Sequence, residues 1–546
     1  MIRARRARSG AMMGAVELFS AHNAASRRGM PVEDVFGERE EARRAYRERV
    51  LSRRELLAGA AGVAATTAVT VSPALGFARS IARRSAPRVA IVGAGLAGIR
   101  CAHRLWNANP ARPIASTIFE ANPERAGGRC WTLRDYFQSG LITEHGGSFL
   151  NTDQHAVRRL ARSLGLEEER VDGGQLPQGE SVSLIDGGTY TGRQASADWA
   201  SVGYRVVNEA IAEAGTLAGA FRLDGISVTE WLEGSEIGAA TRLGKAMLAA
   251  TVAESGLDPE ATSALVLLEV FASANSKRLS TSVKGFERFH IVGGNDQLIT
   301  RMLDALPPET LRLGHQLVAL RANIDGSYTL VLSVAGSTSE ATVDVVVLAL
   351  PFTLLREVDL SQSGLSAEKR EVIDKFELGS NAKIHVELTH KTWPALGYNG
   401  FALSEWEGFC AGWDDSVALG PDAGPALYLG FPGGRVGRTG LTGGAHGPAP
   451  EQDVSWLLAQ LDQLFPGTSA TFTGRAYEDH WVQDPWTRGA YSSPGVGQAI
   501  TYPTIAAAPQ GSILFAGEHT SMKNEGFLDG AVETGERAAD EIIRRS

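Results

Sequence analysis

Residues Arg88–Trp106 read RVAIVGAGLAGIRCAHRLW, and the way this stretch changes period decides the fold. Val89 to Val92 is a continuous apolar run, which predicts a strand buried on both faces. Glycines interrupt it, and Ala97, Cys101 and Leu105 then recur on one face of a helix. Between the two lie Gly93, Gly95 and Gly98 in the spacing G-x-G-x-x-G. In such a strand–turn–helix the first glycine permits the tight turn and the second lets backbone approach a pyrophosphate. The third lets the helix pack on the strand, and the helix N-terminus stabilises phosphate charge. ASTIFEA (115–121) predicts a second buried strand that ends at Glu120, 22 residues after Gly98. A carboxylate there accepts hydrogen bonds from ribose hydroxyls, so the unit predicts a bound dinucleotide and leaves FAD and NAD both open.

The following segment favours FAD. Arg125-Ala126-Gly127-Gly128-Arg129 lies just past the acid, and EHGGSF follows at 144–149. Extra glycines beside an arginine suit a second loop folded over an extended FAD and reaching toward its isoalloxazine. The predicted class is α/β: a Rossmann-like FAD-binding domain interleaved with an α+β substrate-binding domain of mixed sheet and helices. FAD-binding parts are expected near 88–190, 285–345 and 480–546, and substrate-binding parts near 191–284 and 346–479. Within these, Ala195–Asn275 reads mostly helical, and Leu311–Val334 reads as an antiparallel meander with a turn at ANIDGSY. ATVDVVVLALP (341–351) reads as another buried strand, and PGGRVGRTGLTGGAHGPAP (432–450) as an exposed loop.

Residues 1–78 read as a twin-arginine-type signal region, with 79–87 a linker. Arg53-Arg54 directly precedes a weakly apolar run of small residues ending at Gly76-Phe77-Ala78. The expectation is export, periplasmic or secreted, through the twin-arginine machinery, with no stable membrane span in the mature chain. The arginine pair lies unusually far from Met1, and Met30 would give a more ordinary start. Thirteen Lys and Arg against eight Asp and Glu in this region leave the rest of the chain near −14, within an overall charge of −9. So acidic a body disfavours non-specific nucleic-acid binding. Three cysteines make no disulfide framework, and no Cys/His spacing suggests a metal.

From Arg88 onward the chain resembles the flavin-containing amine oxidases: monoamine, polyamine and L-amino acid oxidases. The resemblance rests on G-x-G-x-x-G, Glu120, the GGR turn, GGNDQL (293–298), VVVLALP, GSNAKIHVEL, RGAY and the ending GEHT…GFLDGAVETG, all in order. One departure is a loop between Glu120 and the GGR turn one residue longer than the commonest version. The resemblance implies hydride transfer from an amine-bearing carbon to flavin N5, imine hydrolysis, and reduction of O2 to H2O2. It implies that Lys383 reaches N5 through a water, and that Tyr491 and Phe527 flank the substrate amine. Val318 matches the residue whose backbone meets the adenine, and Glu518 the acid at the ribityl chain. Arg129 and the Gly147-Ser148 turn lie against the cofactor, Trp481 lies beside the flavin, and Ala121 and Leu528 complete the cofactor set. Ala490 stands where covalent members carry a flavin-linking cysteine, so the FAD is expected to be non-covalent.

Small-molecule amines and O2 are thus the expected partners; the oligomeric state is not legible. An L-amino acid oxidase would want an arginine just after the Gly-rich turn, where the first is Arg158. A polyamine oxidase would want acids along its tunnel, for which Glu254 and Glu269 are candidates. A C–C desaturating flavoprotein or a non-catalytic flavoprotein shares the front half but not Lys383 together with the Tyr491/Phe527 pair. His290 and His519 lie near motifs and receive no role.

Overall fold

The computed structural model describes residues 86–171, 179–272, 288–416 and 424–546; the expected signal region lies outside these. In chain order the elements that carry the site begin with β1 (Val89–Val92), α1 (Leu96–Asn107), β2 (Ser116–Phe119), β3 (His315–Ala322) and β4 (Val345–Leu348). They continue with β5 (Ala382–Leu388), β6 (Phe472–His480), β7 (Ile513–Phe515) and α2 (Leu528–Arg545).

β1 is buried along its whole length and occupies the centre of a parallel five-stranded sheet. The strand order is β7, β4, β1, β2 and then Leu311–Arg312. One face carries Ile91 and Val347 under α1 and α2, which contribute Ile99, Leu105, Ala538 and Ile542 to that core. The opposite face, with Val92, Leu348 and Phe515, packs on Leu320 and Leu330 of an antiparallel meander. That meander joins β3, Tyr328–Val334 and Ser337–Val343. It is longer than the predicted 311–334, and ATVDVVVLALP is not one strand. The break falls at Asp344, which accepts hydrogen bonds from the Arg88 backbone N–H at 2.8 Å and guanidinium at 2.7 Å. This pin turns the chain out of the meander and into the parallel sheet as β4.

A second, mixed sheet has eight strands. Its order is His446–Pro448, β6, β5, Ala426–Phe431, Ala411–Asp414, Tyr398–Ser404, Glu180–Ile185 and Gly188–Thr191. Along β5 the strand period of two separates two chemistries. Ile384, Val386 and Leu388 join a core with Leu457 and Leu461 of the helix Glu451–Leu464. Lys383, His385 and Glu387 point the other way and are buried as well.

Two expected boundaries cut across these sheets. Strands 180–191, placed with the nucleotide part, pair into the mixed sheet, and Val345–Leu348, split by the expected boundary at 345/346, is a strand of the parallel sheet. Strand patterns are local in sequence, whereas the sheet a strand joins is set by long-range pairing. The stretch 432–450 is likewise no plain exposed loop: Gly434–Thr439 is a helix, and His446–Pro448 pairs with β6 at the sheet edge. Helices from Gly192 to Ala272 fill the middle, as predicted. Among the described residues no helix is long and apolar enough to cross a membrane.

Candidate active site

The turn after β1 is built by contacts that exclude side chains. Gly93 has φ +102°, and a Cβ there would lie 2.8 Å from the Ala349 carbonyl oxygen. A Cβ on Gly98 would lie 2.1 Å from the Gly93 carbonyl oxygen, so α1 starts hard against the strand end. At Gly95, by contrast, a Cβ would meet nothing within 4 Å, because that face opens on a cavity. The first turn of α1 has no side-chain cap. Its backbone N–H groups are therefore available to an anion. Beside it the Glu120 carboxylate accepts from the backbone N–H of Ala94 (2.7 Å) and of Asn122 (2.8 Å). Burial raises the Glu120 pKa, and these two bonds oppose the rise.

The cavity, about 350 Å³, is lined by loops of the parallel sheet on one side and by the mixed sheet on the other. Gly93, Gly95, Glu120, Ala121 and Arg129 line it, as do Gly147, Ser148, Val318, Trp481, Glu518 and Leu528. Gly98 does not line it and packs behind the turn, the place its spacing assigns. Val318 sits at a register shift in β3 between Leu317 and Ala319. The irregularity takes Val318 out of the ladder with the neighbouring strand; its carbonyl accepts from the Asp359 N–H at 2.9 Å, and the residue lines the cavity. Glu518 is buried and accepts from the Arg129 guanidinium (2.9 Å), the Ser492 hydroxyl (2.7 Å) and the Gly526 backbone N–H (2.8 Å). Burial would raise its carboxyl, but these partners, Arg129 foremost, hold it below the usual range. Ala490 lines the wall and offers no nucleophile. Cys130 also lines it, but burial pushes its thiol well above the usual range, so no thiolate is present there.

At the far end stand Lys383, Tyr491 and Phe527. The Tyr491 hydroxyl donates to the Ala253 carbonyl at 2.7 Å, which fixes the ring. Phe527 is the residue before the first turn of α2, so that helix starts at the cavity wall. Lys383 Nζ is within donor range of Glu144 O (2.7 Å), Gly146 O (2.7 Å) and Ser148 Oγ (2.8 Å). Its pKa is lowered by burial, against the pull of Asp415, Asp479 and Glu144. The wall beyond is apolar and aromatic, with Phe149, Phe401, Leu403, Trp413 and Phe431.

Sequence reasoning passed over those wall residues and a buried imidazole–carboxylate array behind Lys383. His145, Asp479, His446 and Asp484 form it; the only signal was the place of the first three inside EHGGSF, EDHW and the glycine-rich 432–450 stretch, with Asp484 three residues beyond EDHW. Glu254 lines the cavity and Glu269 does not. Arg158 lies outside the cavity, tied to Glu168 at 2.7 Å with its guanidinium over Phe289. His290 lies between Glu144 and Glu169, and the His519 ring packs on Phe352.

The site fits FAD on its own terms: an open glycine cradle at an uncapped helix end, a carboxylate at the next strand end, and a long wall of both sheets ending at a lysine and two rings. The family of flavin containing amine oxidoreductases matches residues 96–543. The chain is 25% identical over 485 residues to the flavin-containing amine oxidase B of Sus scrofa, covering 83% of this chain and 86% of that one. To the flavin-containing amine oxidase A of Bos taurus it is 24% identical over 481 residues, covering 83% and 84%. The fold is shared with a cyclohexylamine oxidase from Brevibacterium oxydans (TM-score 0.70, 21% identity, 84% of this chain and 99% of that one). It is also shared with a putrescine oxidase bound to putrescine (TM-score 0.67, 22% identity, 84% and 99%). The chain belongs to the flavin containing amine oxidoreductases, enzymes that oxidise amines at the CH–NH2 group with a flavin cofactor, here a non-covalent FAD.

Proposed function

We propose that this enzyme oxidises an amine with an apolar tail, using dioxygen as acceptor and releasing hydrogen peroxide. The observation that carries this reading is the meeting of Lys383, Tyr491 and Phe527 in the same cavity as the glycine cradle and Glu120. Bound along that cavity, FAD would take hydride from the carbon bearing the nitrogen and pass both electrons to dioxygen, the amine leaving as an imine that water hydrolyses. The chain's own residues do the rest. Gly93, Gly95 and the first turn of α1 would hold the pyrophosphate, Glu120 the ribose, and Val318 the adenine through its backbone.

Tyr491 and Phe527 present rings that exclude water and orient the amine. Burial lowers the Lys383 pKa, which eases proton exchange at Nζ. Phe149, Phe401, Trp413 and Phe431 offer an apolar tail a dry surface. An amino acid substrate is disfavoured because the first arginine after the Gly-rich turn in sequence, Arg158, is tied to Glu168 outside the cavity, and Arg129, which lines it, is paired with Glu518.

The test is anaerobic flavin bleaching and aerobic peroxide release with a panel of aryl and alkyl monoamines, diamines and L-amino acids. Apolar monoamines are expected to bleach the flavin fastest, and Lys383→Met to slow reduction or re-oxidation about tenfold or more with FAD retained. Absence of bleaching and of peroxide with every amine would overturn the reading.

A further inference from the structure

The peptide stretch Glu144–Ser148 is a platform that receives hydrogen bonds from two side chains lining the cavity, Lys383 and Trp481. Its carbonyls at Glu144 and Gly146 lie 2.7 Å from Lys383 Nζ, and the intervening carbonyl, of His145, accepts from Trp481 Nε1 at 2.9 Å. Lys383 and Trp481 therefore have no better-defined position than this stretch has. Gly146 and Gly147 contribute no side chain, and Asn295 Nδ2 donates to the Gly147 and Ser148 carbonyls at 2.9 Å while the His145 N–H donates to the Trp131 carbonyl at 3.0 Å. At the middle of the stretch the one side chain that reaches back toward β6 is the His145 ring. That ring stacks on Trp131 at 3.5 Å between centroids, and its Nδ1 lies 2.6 Å from Asp479 Oδ1.

Asp479 is completely buried on β6, opposite Lys383 in the β5–β6 register. The same Oδ1 is 2.7 Å from His446 Nδ1, while His446 Nε2 is 2.9 Å from Asp484 Oδ2. Both carboxylates are held ionised below the usual range, Asp479 at about 2: burial alone would raise them, and their imidazole partners outweigh it. With a carboxylate at each ring nitrogen, His446 has its pKa raised against the opposing effect of burial. Its ring meets Trp481 edge-on at 4.7 Å. These N–O separations, 2.6 and 2.7 Å, are hydrogen-bond lengths. They bring the donors together without room for an ion between them.

We propose that Asp479, through His145, is a positioning residue for amine oxidation: it clasps the 144–148 platform and so sets where Lys383 Nζ and the Trp481 ring stand against the flavin. The proposal rests on the reading of Lys383 given above. It uses buried hydrogen bonds of high stake, because losing one partner leaves the other unpaired away from water. Small displacements of a catalytic group cost large factors in rate.

The test uses the FAD-loaded enzyme and four readouts: anaerobic flavin reduction, the flavin absorption spectrum, FAD retention and Tm. His145→Phe keeps a ring over Trp131 and removes the Nδ1 donor, and Asp479→Asn removes the charge. Each is expected to shift the flavin bands and slow reduction about tenfold with FAD retained. His145→Asn places an amide nitrogen near the position of Nδ1 and is expected to recover most of the rate. Combined with Lys383→Met, His145→Phe is expected to slow reduction by far less than the product of the two separate effects. A wild-type spectrum and rate in His145→Phe would overturn the clasp, as would a loss confined to Tm and FAD retention, or full multiplication with Lys383→Met. If instead Lys383→Met alone leaves both half-reactions unchanged, the role of Lys383 falls, and the spectrum of His145→Phe still decides whether the platform has moved.

Discussion

His290 shows how one side chain can make the site's geometry depend on pH. Its Nε2 lies 2.8 Å from Glu144 Oε1 and its Nδ1 3.3 Å from Glu169 Oε1, so it ties the first residue of the platform to the strand Glu168–Arg170. Burial would lower its pKa, but the two carboxylates overcome this and push it up to about 9. The folded value lies above that of a free imidazole. The stabilisation is therefore complete below about pH 6.5 and is lost as the pH rises through about 9. A shift of that size corresponds to on the order of 3 kcal/mol. His290→Gln is expected to be less stable than wild type by up to that amount at pH 6, the gap narrowing steadily to pH 9 or above. Urea unfolding at several pH values checks this, and a gap independent of pH would refute it. In sequence His290 was a lone histidine beside a motif. Nothing local to it reveals Glu144, 146 positions away.

At the scale of elements, the packing of α2 on α1 depends on one missing methyl group. A Cβ on Gly535 would lie 2.3 Å from the Ala97 carbonyl oxygen, within the first turn of α1. Gly535→Val must therefore push the helices apart at the end of α1 that faces the cavity. Overpacking of this kind costs about 1–3 kcal/mol, and here it also displaces the anion-binding turn. The expected outcome is a lower Tm together with weakened FAD retention, whereas Ala539→Gly, on the same helix, is expected to lower Tm alone. Unchanged FAD retention in Gly535→Val would mean that the turn does not depend on this contact.

β1, α1 and β2 were legible in the sequence, because periodicity and glycine spacing are local signals. Sheet membership was not. β4 reads like any buried apolar run, and only its pairing with β1 and β7 assigns it to the parallel sheet. The cavity residues carried by motifs were legible through resemblance. The aromatic wall of Phe401, Trp413 and Phe431 was not, since such residues on strands read equally well as core.

Across the whole molecule the cavity is assembled from segments that meet only on folding, among them 92–97, 119–130, 145–149, 315–318, 383, 481–491 and 517–531. The unfolded chain holds no two of the distant ones together, so FAD binds the folded state alone and must stabilise it by mass action. Free FAD at a hundred times its dissociation constant contributes about 2.7 kcal/mol, and a thousandfold excess about 4.1 kcal/mol. Tm, or the urea midpoint, should therefore rise with the logarithm of free FAD and show no plateau once the site is saturated.

Glu518 gives that slope a structural control. It takes hydrogen bonds from Arg129, Ser492 and Gly526, joining the second glycine loop to the C-terminal turn. Glu518→Gln keeps the shape and removes the charge that Arg129 pairs with. Leaving the half-buried Arg129 guanidinium without its carboxylate is costly. The apoprotein should be destabilised, and the midpoint should fall further with FAD present than in its absence, with the logarithmic slope retained because one molecule still binds. A variant that lowers the midpoint equally at all FAD concentrations, apoprotein included, would show Glu518 to be structural only. A midpoint independent of FAD in the wild type would show that the cavity does not hold the cofactor in the folded state.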